Sequence, residues 1–120
     1  MAYTYGAEAV FIELPGFERR RERYLDDEGL RSLQSLLMRN PLAGLVVPDT
    51  GGLRKLRFAD RRRGKGTRGG LRVLYYWWQP GCEFWLFTLF DKDELGDLGP
   101  VARAALKTKV KEELKAREGK

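Results

Sequence analysis

Two apolar runs separated by a three-residue turn constrain this chain more than any other feature. Leu71 to Trp78 reads LRVLYYWW and Cys82 to Phe90 reads CEFWLFTLF, with Gln79-Pro80-Gly81 between them. Neither run alternates cleanly between polar and apolar residues. Each is therefore expected to bury both faces, which puts the pair at the centre of a sheet rather than at its edge. The Pro-Gly turn joins them as a hairpin.

The remaining elements are arranged around that hairpin. Ala9 to Leu14 is a short apolar run ended by Pro15-Gly16 and reads as an opening strand. A charged helix follows, with Phe17 and Tyr24 as a thin apolar stripe. Asp26 is placed to cap a second helix. Its apolar face is Leu30, Leu33, Leu36 and Leu37, and Asn40-Pro41 ends it. Leu53 to Phe58 alternates as a strand, with Leu53, Lys55 and Arg57 on one face and Arg54, Leu56 and Phe58 on the other. Asp60 to Gly70 is a glycine-rich connection. Gly99-Pro100 precedes a last helix, Val101 to Glu118, with Ala102, Leu106, Val110 and Leu114 at i+4 spacing and Glu113 paired with Arg117. The order β-α-α-β-β-β-α predicts an α+β fold: a small antiparallel meander with two N-terminal helices and a C-terminal helix. At 120 residues this reads as one domain, residues 1–120, with no internal repeat.

Charge is unevenly spread. The net charge is +6, and from Arg54 to Arg72 there are nine cations against one acid, Asp60. That focus of positive field suits a polyanion such as nucleic acid. There is no histidine, so acid–base chemistry falls to Lys, Arg, Tyr or carboxylates. The one cysteine, Cys82, excludes an intrachain disulfide. It also excludes a Cys/His zinc site, and with no histidine to activate it Cys82 is expected to pack rather than react. Asp91, Asp93 and Glu94 read as a solvated turn rather than a metal cluster. No apolar run approaches the roughly 20 residues of a membrane span, and the N-terminus lacks the pattern of a signal peptide. A cytoplasmic location is expected.

GGLRKLRF at 51–58, GKGTRGGLRVLYY at 64–76 and LFTLFDKDEL at 86–95, in this order, resemble the RelE/ParE toxin superfamily. Within it the chain is most similar to the RelE branch with HigB-like members. The resemblance extends from about Phe11 to the final helix. It implies the toxin of a type II toxin–antitoxin system, an mRNA interferase that enters the ribosomal A site and cuts message without metal or cofactor. It implies an antitoxin protein, the ribosome and mRNA as partners, with no membrane and no small-molecule cofactor. Residue by residue, it assigns the catalytic cations to Lys55 and Arg57 on the first meander strand, Arg72 opening the next, and Lys92 just past the last. Some relatives carry a catalytic tyrosine near the start of the last helix; here Leu98 or its neighbours stand in that place.

Cleavage by 2′-OH attack needs a base, stabilisation of the phosphorane and an acid for the leaving 5′-oxygen. Crowding by Arg57 and Arg72 favours the neutral amine of a lysine, which nominates Lys55 as base and Lys92 as acid. The two labels are exchangeable at this stage. Arg57 and Arg72 offer bidentate donors to phosphate. Arg54, Lys65 and Arg68 are expected to bind RNA backbone, with Arg61, Arg62 and Arg63 adding salt-sensitive attraction. Of the aromatics, Trp78 near the hairpin tip is the candidate for stacking on a base; Tyr75, Tyr76, Trp77 and Trp85 are expected in the core. A ParE-like gyrase inhibitor and a non-catalytic RNA-binding module are the competing readings of the same residues.

Overall fold

The computed structural model describes residues 2–5 (backbone), 9–59, 64, 66, 70–92 and 98–118. Its elements are β1 (Ala2–Tyr5), β2 (Val10–Glu13), α1 (Pro15–Tyr24), α2 (Asp27–Arg39), β3 (Leu45–Val46), β4 (Arg54–Phe58), β5 (Leu71–Trp78), β6 (Glu83–Asp91) and α3 (Pro100–Glu118). The six strands form one sheet in the order β1-β2-β6-β5-β4-β3. The fold is α+β, and no helix among the described residues is long and apolar enough to cross a membrane.

The sheet corrects the expected antiparallel meander in two ways. It is mixed, because β2 runs parallel to β6, with Val10 opposite Glu83 and Glu13 opposite Leu86. Parallel neighbours need a long crossover, and α1 and α2 form part of the connection. It is also larger: β1 pairs antiparallel with β2, and the two-residue β3 pairs with β4. The AYTY run carries alternate β-formers but no apolar stripe, so only pairing with β2 reveals it.

The central hairpin is as expected. β5 and β6 pair antiparallel from Leu71↔Asp91 to Trp78↔Glu83, with a register shift at Leu74/Tyr75. Residues 71–75 and 84–87 are buried. The turn Gln79–Gly81 is a single 3₁₀ turn closed by Cys82 N donating to Gln79 O at 3.1 Å. Cys82 takes φ +51° there and is exposed, so it does not pack as expected. At the tip of the hairpin it belongs to neither apolar cluster of the sheet.

Each face of the sheet carries its own apolar cluster. On the first face Leu56, Leu71, Val73, Tyr75, Phe84 and Leu86 meet Phe17, Tyr24, Leu33 and Leu37 of α1 and α2. Asp26 caps α2 as predicted, its carboxylate accepting from Gly29 N at 2.7 Å. On the second face Leu53, Leu74, Trp85 and Phe90 meet Val110 of α3, flanked by Leu106 and Leu114. The stripe of α3 departs from the predicted one at its first position. Ala102 is exposed and Arg103 is half-buried instead.

Candidate functional site

β4 carries alternate residues to opposite faces, and its pairing with β5 fixes which cations meet. Arg57 is the direct cross-strand partner of Arg72, Lys55 of Leu74, and Arg72 in turn of Phe90 on β6. Direct partners share a face, with Cβ atoms about 4.5–5.5 Å apart. Lys55, Arg57 and Arg72 therefore stand together on the second face, the one α3 covers. Lys92 lies one residue past β6, and its N–H donates to Gly70 O at 3.3 Å, which continues the β5–β6 ladder beyond Leu71. Arg57, Arg72 and Lys92 thus lie toward one end of the sheet, with Lys55 two residues further in along β4.

Their exposure is graded. Arg57 and Lys92 are exposed and Lys55 is half-buried, but Arg72 is only 6% exposed. Arg72 Nη1 donates to Leu71 O at 3.2 Å. Neither Lys55 nor Arg72 is free of other interactions within the protein. The cation cluster is therefore accessible at Arg57 and Lys92 and buried at Arg72. Two arginines directly opposite each other repel as a pair, and the other interactions of Arg72 within the protein act on the same guanidinium.

The sheet leaves other candidates out of this cluster. Arg54 lies on the opposite face, beside Tyr75, and its Nη1 donates to Gly44 O at 2.7 Å. Tyr75 completes that tie: its hydroxyl donates to Pro41 O at 2.8 Å and accepts from Gly44 N at 2.9 Å. Burial raises the Tyr75 pKa, while the Gly44 hydrogen bond and Arg54 oppose the rise. Strand alternation explains the correction for Arg54, whose guanidinium fastens the segment between α2 and β3 instead of joining Lys55. Lys65 and Arg68, with Arg61, Arg62, Arg63, Asp93 and Glu94, lie outside the described residues.

Trp78 is half-buried rather than free at the hairpin tip. It stacks near Trp85, with ring centroids 6.0 Å apart, and the Arg117 guanidinium lies over both rings, 5.4 Å from Trp78 and 4.1 Å from Trp85. Arg117 Nη2 and Nε also donate to Glu83 Oε1 at 2.8 and 3.0 Å, and Trp85 Nε1 donates to the same oxygen at 2.9 Å. A Cβ at Gly81 would stand 2.2 Å from the Trp78 ring, so glycine there lets the indole lie flat against the turn. The expected Glu113–Arg117 pair forms at 2.9 Å and orients the same guanidinium. This bracket fixes the C-terminal end of α3 on the sheet.

Gly51 and Gly52, with φ +75° and +107°, lead the chain into β4. A Cβ at Gly52 would meet the Tyr76 ring at 3.2 Å, and one at Gly51 would stand 3.6 Å from Val110. The loop is thereby pressed between sheet and α3, which sets where Leu53 and Lys55 start. Among the described residues no three Cys, Asp or Glu side chains gather where a metal ion could sit. No family model matches the chain.

Proposed function

We propose that this chain is the toxin of a type II toxin–antitoxin system, an endoribonuclease of the RelE type with HigB-like character that cuts mRNA on the ribosome. The observation that carries the reading is the direct pairing of Arg57 with Arg72, with Lys55 one alternate step along β4 and Lys92 one step beyond β6. It gathers guanidinium and ammonium donors in a restricted place, where together they can engage a phosphodiester. The fold, α+β with a mixed sheet, is compatible with the reading and does not select it.

The chemistry follows from the groups present. The 2′-oxygen attacks the adjacent phosphorus, the P–O5′ bond breaks, and a 2′,3′-cyclic phosphate and a 5′-hydroxyl result. Lys55 takes the 2′-proton and Lys92 returns one to the 5′-oxygen, or the two exchange roles. Arg57 and Arg72 hold the non-bridging oxygens as charge builds on them. No metal is required by this scheme. A cognate antitoxin and the ribosome are the partners it implies, and the cytoplasm is where both are met.

The burial of Arg72 favours one second reading, a module that grips phosphate without cutting it. A translation extract separates the readings. Wild-type chain is expected to cut translated message at codon edges. Retarded message without cuts would support the binding module, and DNA breakage with added gyrase would support a ParE-like inhibitor. Intact message and intact DNA, with no binding to either, would overturn all three.

A further inference from the structure

The geometry points to Arg103 as a further phosphate-binding residue of the same site, presented from α3. This inference rests on the RNA-cleaving reading above. α3 runs antiparallel to β6, because Arg117 near its end clasps Glu83 at the start of β6. Leu106 lies eleven residues before Arg117 in the helix and lines a cavity with Phe87 and Thr88. Arg103 is fourteen residues before Arg117, a distance of about 21 Å along a helix. Glu83 to Phe90 spans about 23 Å along a strand. Arg103 therefore stands level with Phe90, the cross-strand partner of Arg72.

Arg103 also faces inward. It precedes Leu106 by three positions and Val110 by seven, on the stripe that packs against the second face. It is half-buried, and its Nε is buried without a hydrogen-bond partner among the described residues. A buried, unsatisfied guanidinium nitrogen is costly and calls for a partner. Placed at the Arg57–Arg72 end of the sheet, its natural complement is an anionic oxygen.

The experiment uses ribosomes programmed with a message carrying 2′-O-methyl groups for binding, and the unmodified message for cutting. Wild type, Arg103→Gln and Arg103→Lys are compared at several salt concentrations, with melting temperatures measured alongside. Arg103→Gln is expected to weaken binding about tenfold. It should also flatten the salt dependence by about 0.7 in the log–log slope, the share of one phosphate on a single strand. Arg103→Lys should restore the slope. Wild-type binding and slope in Arg103→Gln would overturn the assignment while leaving the RNA reading intact. So would a lower melting temperature with an unchanged slope, which is the signature of packing alone. Wild type that neither binds nor cuts programmed ribosomes would overturn the RNA reading and this inference together.

Discussion

Arg72 has the environment least like that of a surface cation: buried, opposite Phe90, and facing a second arginine across the strands. Truncating it to alanine would remove both charge and packed stem, and the two losses would be confounded. Arg72→Met keeps most of the stem. It is expected to melt within a few degrees of wild type and to cut message slower by about 10²–10³, the usual loss for one preorganised transition-state donor. Single-turnover cleavage with a melting curve checks this, and wild-type cutting would remove Arg72 from the site. Glu13 offers a test unrelated to RNA. It is buried and pairs with Arg21 of α1, Nε to Oε1 at 3.2 Å. Burial raises its pKa, Arg21 opposes the rise and Glu18 adds to it. A carboxyl whose folded pKa is raised binds more protons folded than unfolded between the two values, so stability falls as pH rises through that window. Glu13→Gln should abolish this slope, measured as urea midpoints from mildly acid to neutral pH. Identical slopes in the two proteins would mean that Arg21 compensates burial fully.

At the scale of elements, what the sequence disclosed and what it hid have separate physical causes. The hairpin, the α2 cap at Asp26 and the shared face of Lys55 and Arg57 were legible because each rests on local periodicity or a local hydrogen bond. The parallel pairing of β2 with β6 was not, since nothing in AVFIEL encodes the direction of a partner some seventy residues away. The inward side of α3 was misread by one residue. Ala102 and Arg103, four and three positions before Leu106, both fit the start of the apolar stripe, and an arginine stem can bury while its charge stays polar. The Arg117 bracket was half visible: the i,i+4 pair with Glu113 was, the stacking on Trp78 and Trp85 was not. That bracket gives an element-scale prediction. Arg117→Ala removes the cation–π contacts and the clasp on Glu83, and is expected to cost about 1–3 kcal/mol. Hydrogen exchange should show faster opening of α3 with β5 and β6 still protected. Unchanged protection of α3 would mean that Val110, Leu106 and Leu114 alone hold the helix.

For the whole molecule, the sheet order determines when the protein can become itself. β2 is made early, yet its inner neighbour is β6, so Val10 must wait for Glu83 and Glu13 for Leu86. Its other neighbour, β1, gives only a two-stranded ribbon in the meantime, which is marginal in water. Until β6 has left the ribosome, Phe11 lacks Phe84, its stacking partner at 4.8 Å. Arg72 lacks Phe90 over the same interval. The order of synthesis thus sets a delay: a partly made chain holds Lys55, Arg57 and Arg72 in sequence but lacks the completed sheet that aligns them. Stalled nascent chains ending before β6 are expected to be digested rapidly by protease, and those that expose residues through 118 to resist. Equal resistance in the two would show that β1, β2 and the helices fold without β6. On the RNA-cleaving reading proposed above, the cation cluster would be aligned only once β6 has joined β5 and β2.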